Sequence, residues 1–127
     1  MKVFYSLLLT FSFFQNINSC MAKSDQEFSW RRKTKKRMVA AFGGKCCICK
    51  KKYPQELFEF HHLNPAEKDF GVGSVKSISW DRLVIELRKC VMVCANCHRL
   101  VEYGHMTIPK EITLFNESFT KWRKNVL

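Results

Sequence analysis

The chain has 127 residues, of which 46% are apolar and 26% charged. That is enough for one domain with little left for a second, and too apolar for a disordered chain. Lys and Arg number 22 against 11 Asp and Glu, a formal charge of +11, and such a field attracts polyanions. A chain this short buries a modest core, so a metal staple is a natural supplement.

Residues 3–14 (VFYSLLLTFSFF) form an apolar run behind Lys2. The run looks like the core of a secretory signal but is too short for a transmembrane helix. Met21 opens a soluble-looking sequence, so residues 1–20 are expected to be a signal-like leader or a read-through segment. The expected location is the cytoplasm without stable membrane association, and export through the leader is the alternative.

Residues 21–44 are expected to form a basic N-terminal helix. Ser29 to Phe42 reads as helical, with Ser29 as cap, Gly43-Gly44 as stop, and Trp30, Met38, Ala41 and Phe42 as the buried stripe. From Phe28 to Gln55 there is no acid, while Arg31, Arg32, Lys33, Lys35, Lys36, Arg37, Lys45, Lys50, Lys51 and Lys52 all fall there. This stretch holds nearly all the net charge, and it lies beside the first cysteine cluster. Arg31, Arg32, Lys35, Lys36, Lys50, Lys51 and Lys52 are therefore the candidate phosphate contacts.

Seven cysteines leave one over from any pure disulfide framework. Four fall in two C-x2-C pairs, Cys46/Cys49 and Cys94/Cys97. Such a pair brings two thiolates to one side of a cation. Two pairs fill a tetrahedral shell, which describes a structural zinc site with no open position. Cys47 is an alternative to Cys46, although the spacing favours Cys46. Cys20, Cys47 and Cys90 otherwise read as inert small side chains. Residues 50–93 separate the two pairs, so a folded insert must lie between them.

Within that insert, Leu57 to His62 suits a short strand that Asn64-Pro65 stops. Residues 66–77 read as a loop, and Ser79 to Arg88 as a helix capped by Ser79. Cys90 to Val93 is β-prone, and a second short helix runs from Ala95 to Gly104. Ile112 to Leu127 is expected to be a terminal helix with Leu114, Phe115, Phe119 and Trp122 facing the core. The expected fold class is α+β. Two strands pair as a hairpin, and the helix after Cys94 lies across them.

Three of the four histidines sit in Phe60-His61-His62-Leu63-Asn64-Pro65 and Cys94-Ala95-Asn96-Cys97-His98-Arg99. His61 and His62 are neighbours on a strand and must point to opposite faces. Glu102 follows His98 by four residues on a helix, so the two form a half-site for a divalent cation. Imidazole titrates near neutrality and can take a proton from water, while one divalent cation can clamp a phosphate.

The run GGKCxxC, EFHHLNPAEKDF and KCVMVCANCHR, spanning roughly Phe42 to Tyr103, resembles the HNH endonuclease family in its branch with a four-cysteine zinc site. The resemblance implies a small ββα-metal finger with flanking helices and metal-dependent hydrolysis of DNA, expected to be double-stranded. It places that domain at residues 45–105, followed by a helical tail at 106–127. By the same resemblance His62 is the general base, while His61 and His98 are ligands of the catalytic cation and Cys46, Cys49, Cys94 and Cys97 hold the structural Zn²⁺. Mg²⁺, Mn²⁺ or Ni²⁺ suits the mixed nitrogen and oxygen ligands of the catalytic site. Two positions depart from the motif. Lys89 stands where the motif has an Asn read as orienting the base, and Asn64 or Asn96 are possible substitutes. Glu102 stands where the motif has its last His. Two alternatives stay open: a non-catalytic zinc module that binds nucleic acid, and an exported, disulfide-bonded protein.

Overall fold

A computed structural model describes residues 25–118. The chain divides into two compact units at Arg32/Lys33. In the first unit, residues 25–32 are helical. Ser29 is thus inside a helix and not its cap. The Glu27–Arg31 pair, at 3.8 Å and one turn apart, supports the turn that includes it. The leader expected at residues 1–20, with Cys20, lies outside the described residues.

The second unit opens with a helix at residues 33–41, here α1. Its last carbonyls are taken up as expected: Gly43 N–H donates to Ala40 at 3.0 Å and Gly44 N–H to Val39 at 3.0 Å. Both glycines sit at positive φ, +83° and +74°, where a Cβ would be strained. Met38, Ala41 and Phe42 are buried, as the apolar stripe requires.

Strands β1 (Phe58–His62) and β2 (Cys90–Cys94) pair antiparallel, with Phe58 opposite Cys94, Phe60 opposite Met92 and His62 opposite Cys90. Residues directly opposite share a face. One face of the hairpin therefore carries Glu59, His61, Val91 and Val93, and the other carries Phe58, Phe60, His62, Cys90, Met92 and Cys94. All of β2 is buried. Helix α2 (Trp80–Leu87) fills the connection between the strands, and Ser79 caps it by accepting from Arg82 N–H at 3.4 Å. Helix α3 (Ala95–Glu102) follows β2 without a loop and packs on both strands. Gly104, at φ +76°, ends it.

The coarse expectation of a small α+β domain around a two-stranded antiparallel sheet is met. Of the terminal helix expected over residues 112–127, residues 112–116 are not helical, and residues 119–127 lie outside the described residues. Phe115 instead packs edge-on against Phe42 (5.7 Å) and at a tilt against Trp80 (6.4 Å), and Asn116 N–H bonds the Ala41 carbonyl at 2.9 Å. Tertiary contacts with α1 and α2 override a weak helical pattern here. Leu114, expected in the core, is 54% exposed. Phe119 and Trp122 lie outside the described residues. Among the described residues no helix is long and apolar enough to cross a membrane.

Candidate metal centre and histidine cluster

The first knuckle is a tight turn. Lys50 N–H returns to the Cys46 carbonyl at 3.0 Å, Cys46 N–H reaches Lys51 at 3.1 Å, and Lys50 adopts φ +62° to close it. A non-glycine residue in that region costs about 1–2 kcal/mol, so the closing bonds hold a conformation the side chain disfavours. Cys47 N–H bonds the Met92 carbonyl at 3.0 Å and fastens the knuckle to β2. The second knuckle is the N-terminus of α3. There the Cys94 sulfur caps the helix by accepting from Cys97 N–H at 3.4 Å.

These two turns bring Cys46, Cys49, Cys94 and Cys97 together, with all four sulfurs within 4.8 Å of one another. Cys49 Sγ and Cys94 Sγ are 3.9 Å apart. Thiolates at about 2.3 Å from a tetrahedral zinc lie roughly 3.8 Å from each other, so the group could hold such a metal with little movement. Among the described residues it is the one group of three or more ligand side chains that converges in this way. Burial and the neighbouring sulfurs push Cys94 and Cys97 up from the ordinary thiol range. Burial works the same way on Cys46, but hydrogen bonds from the surrounding backbone and Cys49 outweigh it and bring that thiol down to about 7. Four clustered sulfurs cannot all carry charge without a cation between them. Cys47 lies outside the group, and burial raises its thiol to about 11, so the choice between Cys46 and Cys47 is resolved for Cys46. Cys90 is likewise buried, pushed up to about 12, with its Sγ 3.4 Å from the Glu86 carbonyl. All six described cysteines are free thiols.

His61 and His62 point to opposite faces of β1, and each meets different partners. On the face shared with Val91 and Val93, His61 Nδ1 lies 3.2 Å from His98 Nε2, with the rings 5.2 Å apart and edge-on. Glu102 Oε1 is 3.5 Å from the same His98 nitrogen. The other His98 nitrogen, Nδ1, bonds the Glu59 carboxylate. Burial, then the neighbouring His98, lowers the basicity of His61 and keeps it neutral, with a lone pair to offer. His61 and Glu102 each approach the same His98 nitrogen, so the three supply mixed nitrogen and oxygen donors near one point, although among the described residues the four cysteines alone converge as a ligand group. Glu59 was missed by sequence reasoning. Its signal was its place two residues before His61, on the same strand face.

The opposite face is unlike this. His62 is 8% exposed, and its Nε2 lies 2.7 Å from Oε1 of Glu86, itself only 1% exposed. Glu86 Oε1 also accepts from Asp69 N–H at 2.9 Å and Phe70 N–H at 3.4 Å. Its Oε2 accepts from Lys89 Nζ at 2.9 Å. Burial would raise this carboxyl, but Lys89, His62 and the two backbone donors outweigh it and bring it down to about 2. Lys89 Nζ further reaches Asp69 Oδ2 and the Glu67 carbonyl, each at 2.8 Å. Asn64, one candidate for orienting the base, instead caps the turn after β1 by accepting from Ala66 N–H at 3.1 Å. Asn96 is exposed on α3. Glu86 was also missed, because on the sequence it is one charged residue of an amphipathic helix.

The basic residues divide into two groups. Arg31, Arg32, Lys36 and Lys50 to Lys52 are exposed. Lys35 is turned inward: its ammonium donates to the Phe58 carbonyl and lies 4.9 Å from the Phe60 ring centre. Burial lowers its basicity, against the pull of Glu59 and Glu56. Arg37 stacks on Trp80 at 3.7 Å and ties α1 to α2. Comparison with protein-family models, curated proteins and solved structures gives no significant match for this chain.

Proposed function

We propose that this protein is a metal-dependent DNA endonuclease of the HNH type, with its hairpin and α3 forming a ββα-metal finger. The observation that carries the reading is the opposed placement of the histidine doublet. His61 faces His98 and Glu102 as a nitrogen-rich ligand set, while His62 is held separately by a carboxylate. A hydrolase that keeps its cation apart from its base needs that division of labour. Cys46, Cys49, Cys94 and Cys97 would hold a structural Zn²⁺. His61, His98 and Glu102 would hold a divalent cation such as Mg²⁺, Mn²⁺ or Ni²⁺. That cation supplies charge stabilisation at the scissile phosphate and its leaving oxygen. Water attacks phosphorus and gives one proton to His62. The new P–O bond forms as the bond to the leaving oxygen breaks, and that oxygen takes a proton from solvent. Arg31, Arg32, Lys36 and Lys50 to Lys52 would hold flanking phosphates of duplex DNA, consistent with a basic stretch free of acids.

A second reading has its own support. The burial of His62 favours a zinc-stabilised module that binds nucleic acid without cutting it. A plasmid-nicking assay across Mg²⁺, Mn²⁺, Ni²⁺ and Zn²⁺, with EDTA as control, separates the two. The nuclease nicks with at least one cation, EDTA stops it, and His62→Ala loses about 10²–10⁴ in rate. Retardation of DNA with no nicking under any cation selects the binding module.

A further inference from the structure

We propose that Glu86, anchored by Lys89, is a positioning residue that fixes His62 as its Nε2–H tautomer and leaves Nδ1 as the ring's bare acceptor. The use of that acceptor rests on the nuclease reading above; the tautomer does not.

The inference follows from counting donors. Glu86 Oε1 already accepts from Asp69 N–H at 2.9 Å, and Oε2 from Lys89 Nζ at 2.9 Å. Two backbone N–H groups and the Lys89 ammonium on these oxygens keep the carboxyl ionised, so it has no proton to give. The remaining partner, His62 Nε2 at 2.7 Å, must be the donor. A neutral imidazole that donates from Nε2 accepts at Nδ1. The ring cannot turn over without breaking a buried bond to a charged acceptor, among the stronger kinds of hydrogen bond. Lys89 has a matching role. It bonds Glu86 Oε2, Asp69 Oδ2 and the Glu67 carbonyl, and so fixes the carboxylate to the segment that follows β1. The position where an asparagine was expected to orient the base thus works through a lysine–glutamate pair.

The test needs no variant at first. Long-range ¹H–¹⁵N correlation spectra of the full-length, zinc-loaded protein should give His62 as Nε2–H with a bare Nδ1. A His62 signal with the proton on Nδ1 overturns the proposal, whatever the activity. Since Nε2–H is also the common tautomer of free histidine, Glu86→Gln supplies the discriminating step. The glutamine oxygen should stay on the Asp69 and Phe70 N–H groups and its amide meet Lys89; a neutral acceptor then holds Nε2–H less firmly, and both imidazole tautomers should be populated. Cleavage should fall by up to about 10²–10⁴-fold in kcat with little change in KM for DNA. Lys89→Met should loosen the tautomer and lose part of the rate, and Lys89→Arg should recover most of that loss. A folded Glu86→Gln protein with an unchanged tautomer and an unchanged kcat overturns the proposal. A wild type with the expected tautomer, loosened by Glu86→Gln, that cuts no DNA with any cation refutes the nuclease reading alone.

Discussion

Two consecutive residues on α3 belong to different kinds of site. Cys97 is buried and turns into the sulfur group; His98 is half-buried and turns to His61, Glu59 and Glu102. The sulfur group is complete in itself: four like ligands, drawn from two turns closed by their own backbone bonds. The histidine cluster is open. Its two carboxylates are each about half exposed, and its members come from β1 and α3. A closed shell supports structure, whereas an open one leaves room for a ligand. Because α3 carries members of both, the first site sets the position of the second.

The largest effect should come from breaking the closed shell. Cys94→Ser removes one sulfur but keeps a side-chain oxygen able to cap α3, so it isolates metal binding from capping. Structural zinc in small fingers contributes about 10–16 kcal/mol, against a net domain stability of about 5–15 kcal/mol. Cys94→Ser should therefore lose its metal and its cooperative unfolding transition, whereas Cys47→Ser should keep its zinc. Metal content and thermal melts of the two variants check this. Equal melting of Cys94→Ser and wild type would remove the staple.

A smaller effect separates the buried carboxylate from both clusters. Glu86 is ionised down to about 2, below the 4.5 of an ordinary glutamate. A carboxyl whose folded value is depressed contributes stability above its unfolded value and loses it as pH falls through the folded one. The difference in unfolding free energy between wild type and Glu86→Gln should reach roughly 3 kcal/mol near pH 7. It should shrink as pH drops from 4.5 toward 2. Metal release will unfold both proteins at acid pH, so the difference is followed only down to the pH at which the metal leaves. Urea titrations at several pH values give the measurement, and a pH-independent difference would mean that Glu86 acts by packing alone.

The smallest effect concerns the basic residues. Arg31, Arg32 and Lys36 replaced together by Ala should flatten the salt dependence of DNA binding by about 0.9 in log–log slope per lost phosphate contact. Lys35→Ala should leave the slope unchanged and lower the melting temperature instead, because its ammonium is bonded to β1. Equal slope changes for Lys35 and Lys36 would contradict that division.

Much of this was legible in the sequence because it depends on spacing. The C-x2-C pairs located the sulfur group, strand alternation sent His61 and His62 apart, and i, i+4 spacing brought Glu102 to His98. Ser79 and Gly43-Gly44 marked helix ends through local chemistry. What was not legible depends on contacts between distant segments. Glu86 meets His62 across 24 positions, and nothing in its own neighbourhood marks it as buried. Lys35 looked like its basic neighbours until β1 gave it a carbonyl. The segment around Phe115 had a helical pattern, but the surfaces of Phe42 and Trp80 decided its conformation.

The pairing of β1 with β2 also limits how this chain can change length. His61 and His62 owe their different surroundings only to alternation along one strand. One residue inserted between Phe58 and His61 would turn each imidazole toward the other's partners. The ring now facing His98 would turn to Glu86, and the ring now facing Glu86 would turn to His98. Substitutions in the hairpin can be absorbed one at a time, but a single insertion there exchanges both roles at once. Drift in the length of related chains should therefore collect in turns such as the one after Gly104, and spare the five residues of β1.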